Sequence, residues 1–288
     1  MKKSPHHEYI RRIEALAAGP ELHVGEGMID RLGWEEPAPA APGGFASLQP
    51  WRSPHPGLPR FLREKNDWHG IQAPSWVIDR LSDTQRASVR WLVVDGPGGA
   101  ACFRLEGSYP ALEALNLRVD VEIAEPLPRL WSLTLAMEGR PRAAATWIAD
   151  CKLERVEAHY PAKIEWLTVT SPEDVKFVAS EGAVGSPLAL SRFEHATNVR
   201  IKQARTLKSL DVLRPMRHLR ALSLSYLSSL ESLDSLVDAE ELALVSIDSC
   251  KDKNGAIRAA VAALRARGVL VRCEFTKSSG EDLAFHDF

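Results

Sequence analysis

The stretch of the sequence that most resembles a ligand-binding loop is the glycine-rich run VVDGPGG at 93–99. A strand followed by such a loop can cradle a phosphate, because the backbone N–H groups of the loop can all point at the anion. The run has neither the GxxxxGK[ST] spacing nor the GxGxxG spacing of known phosphate-binding loops. Asp-Gly and Pro-Gly are also common turn dipeptides, so an ordinary turn is the favoured interpretation.

Histidines and cysteines form no recognisable catalytic or metal-binding motif. The nine histidines are scattered without an HExxH pair, and the four cysteines form no CxxC pair. Cys151 with His159 remains open as a nucleophile and base, since such partners meet in space rather than in sequence. Cys250 and Cys273 are 23 residues apart and leave a disulfide or a metal site open. The favoured interpretation is that all four are buried, structural thiols in a reducing cytoplasm.

Composition places the chain among ordinary soluble proteins. It has 288 residues, 45% hydrophobic and 26% charged, with a formal net charge of −2. Near-neutral charge argues against nucleic acid as a partner, and no apolar run is long enough to span a membrane. The start of the chain lacks the apolar core of a secretory signal. We therefore expect a cytoplasmic protein that binds neither nucleic acid nor membrane, and nothing in the sequence calls for a cofactor.

A pattern of apolar residues repeats between Val199 and Val245. Each apolar position from Leu222 to Leu242 lies 23 residues after a matching position between Val199 and Leu219. Self-similarity at this period is typical of a solenoid, in which each repeat buries its apolar face against the next. The returns 207–219 and 230–242 carry an apolar residue at every third position, which favours 3₁₀-like turns over regular helix.

The same unit, apolar-x-x-apolar-x-apolar, recurs on both sides of this stretch and predicts a series of short parallel strands. Ile164–Leu167–Val169 competes with the fifth copy. The second apolar positions of the predicted strands are Leu92, Leu115, Leu133, Val156, Val175, Val199, Leu222, Val245 and Val269.

These residues resemble the leucine-rich repeat family, whose unit is LxxLxL followed by a partly helical return. The clearest copies are LEALNL (112–117), LPRLWSLTL (127–135), LRALSL (219–224) and LALVSI (242–247). The family's Asn or Cys three residues after the last Leu is found only at Cys250. The resemblance implies an irregular α/β solenoid with a parallel sheet on one face and short helical returns, together with a role in protein binding.

Three segments are expected along the chain: an N-terminal helical and Pro-rich cap at 1–88, a leucine-rich-repeat-like solenoid at 89–275, and a polar tail at 276–288. In the first, His7–Ala18 has the pattern of an amphipathic helix, and Ser75 is a candidate N-cap for a helix reaching about Arg90. In the second, residues 256–268 predict an α-helix that ends at Gly268. These ends would cover the exposed edges of the solenoid.

Alternation along the strands predicts which side chains face outward. If the second and third apolar positions of each copy point inward, the residues between and after them cover an exposed sheet face, which in leucine-rich repeat proteins is the usual binding surface. The middle of this face is charged and mainly basic, with polar and aromatic neighbours. The predicted partner-binding residues are Glu157, His159, Tyr160, Lys176, Arg200, Lys202, Gln203 and Tyr226.

The sequence therefore predicts a non-enzymatic module that binds a specific acidic protein through its sheet face. Small proteins of this kind resemble immunity or antitoxin proteins, whose partner would be a toxin or effector. The alternative is a small catalytic or ligand-binding module at 1–88, carried on the repeats and built around its tryptophans and around His55 and His69. A merely solvated sheet face is the third possibility.

Overall fold

The computed structural model describes residues 21–23, 68–95, 102–138, 140, 142–182, 188–252, 255–275 and 284–285. These residues fall into two compact units, divided between Cys151 and Lys152. Both units are of the α/β class, and each is built on a parallel sheet. The helix predicted at 7–18, the Pro-rich stretch and most of the polar tail lie outside the described residues.

The described part of the N-terminal unit contains seven strands. Their bounds are β1 (Glu21–His23), β2 (Gly70–Pro74), β3 (Trp91–Asp95), β4 (Phe103–Leu105), β5 (Ala114–Leu117), β6 (Val121–Ile123) and β7 (Ser132–Leu135). The main sheet has the order β1-β2-β3-β5-β7, and all its neighbours are parallel. β4 and β6 form a separate parallel pair. Ile71, Leu92, Leu115 and Leu133 occupy one cross-strand row and are buried, so the predicted register is observed at 92, 115 and 133.

The helix predicted from Ser75 to about Arg90 is wrong as a single element. Instead there are two short helices, α1 (Ser75–Ile78) and α2 (Asp83–Ser88). Ser82 starts the second one: its hydroxyl accepts from the Gln85 N–H at 3.3 Å, and the Gln85 side chain accepts from the Ser82 N–H at 2.9 Å. This capping box fixes a new helix start and interrupts the first. A short third helix, α3, spans Ala144–Trp147.

The C-terminal unit contains the remaining strands. They are β8 (Arg155–Ala158), β9 (Phe177–Glu181), β10 (Asn198–Lys202), β11 (Ala221–Ser225), β12 (Leu244–Cys250), β13 (Leu270–Phe275) and β14 (Ala284–Phe285). β8 to β13 are parallel neighbours in chain order, and β14 pairs antiparallel with β13. Val199, Leu222 and Val245 pair directly, so the 23-residue spacing is confirmed as the strand register.

Two predicted strand positions are wrong. β9 begins at Phe177, and Val178, not Val175, pairs with Val156 and Val199; Val178 therefore points inward and is fully buried. The competing segment at 164–169 is not a strand either, because Ile164–Trp166 forms a 3₁₀ turn. At the other end, Val271 rather than Val269 pairs with Val245. The N–H of Val269 donates to the Leu264 carbonyl at 3.1 Å and finishes the preceding helix, so the ladder begins one residue later.

The returns between the last strands agree with expectation. Asp211–Leu213 and Asp234–Leu236 are 3₁₀ turns at equivalent places in their segments. Another short helix, α4, spans Leu188–Ser191, and α5 spans Ala256–Ala266 with Gly268 at a positive φ of 85° just beyond it. The predicted C-terminal helix is thus confirmed, ending slightly early. The last parallel strand is tied to this helix, because the Arg265 guanidinium donates to the Val271 carbonyl at 2.9 Å.

Candidate functional site

The candidate site lies on one face of the C-terminal unit, which we call the polar sheet face. It consists of two cross-strand rows whose side chains alternate with the buried apolar rows. The first row is Glu157, Ala179, Arg200, Ser223, Ser246 and Arg272. The second row is Glu181, Lys202, Ser225 and Asp248.

A chain of charged contacts crosses β8, β9 and β10 on this face. Arg155 contacts Glu157 with its Nε at 2.5 Å and also with Nη2. The other carboxylate oxygen of Glu157 lies 2.7 Å from His159 Nε2, and His159 Nδ1 lies 3.5 Å from Glu181 Oε2. The network ends at Lys202, whose Nζ lies 2.6 Å from Glu181 Oε1.

Glu157 is the buried centre of this network. Its exposed fraction is 6%, so the prediction that it is an exposed contact residue is wrong. Burial alone would raise the pKa of its carboxyl. The hydrogen bond with His159 and the positive charge of Arg155 together lower that pKa by more than burial raises it. The resulting pKa is about 2. A buried carboxylate that stays charged needs such partners, and this one therefore has a structural role in ordering the face.

The face is also less basic than expected, because one of its cations and one beside it are already paired. Arg155 is neutralised by Glu157 and Lys202 by Glu181. Within the described part of the chain, Arg200 makes no ion pair or side-chain hydrogen bond. Arg200 is thus a cation of the first row without a counter-charge, whereas Arg272, at the far end of the row, has an interaction of its own.

Lys176 does not belong to the polar sheet face. It precedes β9, and its Nζ donates to the Glu173 carbonyl at 3.0 Å. Ala179, which is buried, takes the place between Glu157 and Arg200. The error has the same origin as the shifted strand, since a register three residues too early puts the wrong side chain in the row.

A residue in the left-handed conformation follows each strand from β9 to β11. These positive-φ residues are Gly182, Gln203 and Tyr226, and a fourth, Ser249, lies at a register irregularity inside β12. The N–H of Gly182 donates to the Lys202 carbonyl at 2.8 Å, and the N–H groups of Gln203 and Tyr226 donate to the equivalent carbonyls of the next strands at 2.9 Å. Because the turn recurs at the same place, it aligns the residues that follow the strands along one edge of the sheet. We call this edge the turn edge.

Two tyrosines project from the turn edge. Tyr160, two residues after β8, is 71% exposed, and Tyr226, directly after β11, is 49% exposed. Tyr160 packs over Gly182, where an added Cβ would lie 3.0 Å from the Tyr160 Cβ. Gln203 lies between them and is exposed. The three predicted residues therefore lie along the same edge of the sheet, each exposed.

Two residues of the network, Arg155 and Glu181, were missed by the sequence prediction. Arg155 could have been found from alternation, since it lies two residues before Glu157 and four before His159 on the same strand face. Glu181 could not, because the strand that carries it was placed too early in the sequence.

The other candidate chemistry is not supported by neighbouring groups. Most of the glycine-rich loop lies outside the described residues; the Asp95 carboxylate that precedes it contacts Arg118 at 2.9 Å. Burial raises the pKa of the Cys151 thiol to about 11, which makes it a poor nucleophile at neutral pH. Cys250 and Cys273 are buried as predicted, but Cys102 is exposed, so that part of the prediction is wrong.

No metal-binding group is found among the described residues, in the sense of three or more His, Cys, Asp or Glu side chains placed to hold one ion. In the same part of the chain, no helix has the length and apolar character needed to cross a membrane. Of the aromatic and histidine residues considered for a ligand-binding module, Trp34, Trp51 and His55 lie outside the described ranges.

A separate cavity of about 550 Å³ opens between the returns that precede β11 and β12. Met216 and Leu236 contribute apolar lining, while His218 and Glu241 stand among its polar lining residues. His218 Nδ1 lies 2.9 Å from Glu241, and Arg220 Nε donates to the same carboxylate at 3.1 Å. Hydrogen bonds from these two residues lower the pKa of Glu241. These contacts link the two returns, and the polar side chains His218 and Glu241 in the cavity wall pair with each other.

No protein-family model matches the sequence, and comparison with curated proteins finds no significant match. Function is therefore inferred from the surface chemistry of the chain itself.

Proposed function

We propose that this chain is a non-enzymatic protein-binding module of the leucine-rich repeat type, and that its partner contacts the turn edge and the adjoining polar sheet face. The parallel strands of the C-terminal unit, spaced 23 residues apart over β10–β12, support the repeat assignment. The irregular spacing elsewhere and the Cys at position 250 fit an irregular member of that class.

The observation that carries the proposal is the pair of exposed tyrosines on one edge. Tyr160 and Tyr226 follow strands that are three positions apart, which places them roughly 14 Å from each other at about 4.8 Å per strand. Tyrosines offer a large contact area with few rotatable bonds and are enriched at protein interfaces. Two exposed tyrosines beside an ordered polar network are what we expect of a preformed contact surface.

The charge of the partner follows from the pairing on the face. Because Glu157 and Glu181 neutralise Arg155 and Lys202, a strongly acidic partner is not required. The unpaired Arg200 favours a partner with an acidic residue at the matching place. As a specific form of this function, we propose a toxin or effector protein that the chain neutralises, on the resemblance to small immunity proteins.

The test is affinity capture with the folded protein, first from native lysate and then against the products of neighbouring genes, followed by measured affinities for a stoichiometric partner. Tyr160→Ala and Tyr226→Ala should each weaken binding about tenfold or more, because aromatic anchors carry a large share of interface energy. Lys208→Ala is the matched control, since its side chain is 74% exposed and lies on a return segment.

A double tyrosine variant that stays folded and binds the partner with unchanged affinity would contradict the proposed interface. Inhibition of a toxic activity of the partner by the chain would support the neutralising role. A partner whose activity is unaffected in the complex would remove that role and leave general protein binding.

A further inference from the structure

The first row of the polar sheet face contains an unusual local arrangement around Arg200. On one side its neighbour is Ala179, and on the other are Ser223 and Ser246 on the next two strands. Ala221 and Ser225 border Ser223 on its own strand face. All these neighbours are short, so the guanidinium stands beside a shallow floor that carries two hydroxyl groups.

These polar groups have no partners of their own. Within the described ranges, neither Arg200 nor the hydroxyls of Ser223 and Ser246 take part in an ion pair or side-chain hydrogen bond. The two cations nearest to it each have a carboxylate: Arg155 contacts Glu157 and Lys202 contacts Glu181. Arg272, at the far end of the row, has an interaction of its own. Arg200 and the two serines therefore bring together one uncompensated positive charge and two free donors.

We infer that Arg200, Ser223 and Ser246 form an anion subsite that receives the carboxylate of an Asp or Glu side chain on the protein partner. A guanidinium offers two parallel N–H donors to a carboxylate, and hydroxyls about 4.8 Å apart on successive strands can donate to the same group. The assignment of the carboxylate to a protein rests on the proposed function. The anion subsite itself does not.

The surrounding charges favour a carboxylate over a phosphate. Asp248 and Glu181 lie in the adjacent row, where their negative charges would repel a dianion more than a monoanion. Lys202, the nearest second cation in the adjacent row, already contacts Glu181 at 2.6 Å. One guanidinium with two neutral hydroxyls matches the single charge of a side-chain carboxylate.

The subsite is tested without the partner by titrating the full-length protein with a capped glutamate, N-acetyl-glutamic acid α-amide, at constant ionic strength. Arginine Nε–H resonances are followed by NMR, and the Arg200 signal is assigned with Arg200→Lys. We expect a saturable shift of that signal with half-saturation on the order of 10 mM. Arg214 is the internal control, because its Nε already donates to Asp211 at 2.9 Å.

Removing both hydroxyls with Ser223→Ala and Ser246→Ala should weaken binding of the probe about fivefold, as expected for the loss of hydrogen bonds to a charged group. A shift at Arg200 that does not saturate, or that equals the shift at Arg214, would overturn the subsite. Inorganic phosphate binding tenfold tighter than the capped glutamate would overturn its assignment to a carboxylate.

The partner arm uses Arg200→Glu, which should weaken the complex at least tenfold. If the probe binds at Arg200 and this variant still binds the partner normally, the subsite stands but does not serve the interface. If the probe fails while the tyrosine variants lose the partner, the proposed function stands and the carboxylate inference falls.

Discussion

Glu157 is a charged residue that the sequence predicts on the surface but that has a structural role in the fold. It stands in a strand where alternation predicts an outward side chain, and its side chain does lie on that face. Yet the carboxylate is buried and bonded to Arg155 and His159. Alternation predicts the direction in which a side chain points, but it does not predict whether neighbouring side chains will bury it. Exposure of this position could not be predicted from spacing alone.

Replacing this carboxylate by an amide should destabilise the protein. Glu157→Gln keeps the shape but leaves the buried Arg155 without its counter-charge, so we expect a loss of about 1–3 kcal/mol in the free energy of unfolding at neutral pH. Chemical denaturation measures it. Glu231→Gln serves as control, because the Glu231–Lys208 pair is exposed and its loss should have no measurable effect. Equal stability of the two variants would contradict a structural role for Glu157.

The same residue predicts an acid-dependent loss of stability. Its pKa is lowered from an ordinary value of 4.5 to about 2 in the folded protein. A lowered pKa means that the carboxylate contributes fully above pH 4.5 and that the contribution is lost as pH falls from 4.5 towards 2. Unfolding free energies measured across this range should fall less steeply for Glu157→Gln than for the parent. Parallel curves would show that other carboxylates account for acid sensitivity.

At the scale of elements, the left-handed turns after β9, β10 and β11 are regular, and the first of them also supports Tyr160. Gly182 adopts this turn with a φ of 95° and leaves room for the tyrosine ring. A non-glycine residue at positive φ costs about 1–2 kcal/mol, so Gln203 and Tyr226 keep this conformation because their N–H groups donate to the carbonyls of the next strands.

Gly182→Ala should therefore lower stability by more than the backbone cost alone. Gly268→Ala isolates that cost, since its φ is 85° and an added Cβ there meets no atom within 4 Å. We expect about 1 kcal/mol for Gly268→Ala and about 1–2 kcal/mol more for Gly182→Ala, measured by thermal or chemical unfolding. In a Tyr160→Gly background, which lacks both the Cβ and the ring that the new methyl group would meet, Gly182→Ala should cost no more than Gly268→Ala. A cost as large as in the parent would show that the two residues are not coupled.

Element positions were predictable where apolar spacing was regular and failed where local polar contacts decided. The 23-residue period gave the register of β10, β11 and β12, because burial of one face fixes strand pairing. It failed at β9, because Pro172–Asp174, the start of the predicted copy around Val175, forms a 3₁₀ turn. The helix predicted from its N-cap at Ser75 failed for a different reason, because the capping box at Ser82 starts a second helix. In the candidate site, Tyr160, Gln203 and Tyr226 are exposed as the alternation predicted, whereas Glu181 depended on the missed register.

At the scale of the whole molecule, the four thiols differ in how far they are exposed to solvent. Cys102 is exposed, whereas burial raises the pKa of Cys151 and Cys250 to about 11 and that of Cys273 to about 12. A thiol reacts as its thiolate, so both burial and a raised pKa slow modification.

Labelling with a disulfide reagent at pH 8 should accordingly proceed in two phases. Cys102 should react at once. Cys151 should react slowly because its pKa is raised, and Cys250 and Cys273 only as fast as their unit opens. Denaturant should bring all four to the same rate. Cys102→Ser should abolish the fast phase and leave the slow one unchanged. Rapid reaction of Cys250 in the native protein would contradict the buried arrangement.

The contact between Arg265 and the Val271 carbonyl has a consequence for self-association. Val271 lies on the last parallel strand, and its carbonyl would otherwise be free to accept a strand from a second copy. β14 beside it runs antiparallel, which reverses strand polarity where another parallel neighbour would join. A second copy therefore could not pair along the whole of β13, because Arg265 already occupies the carbonyl of Val271 and β14 already pairs with Cys273 and Glu274.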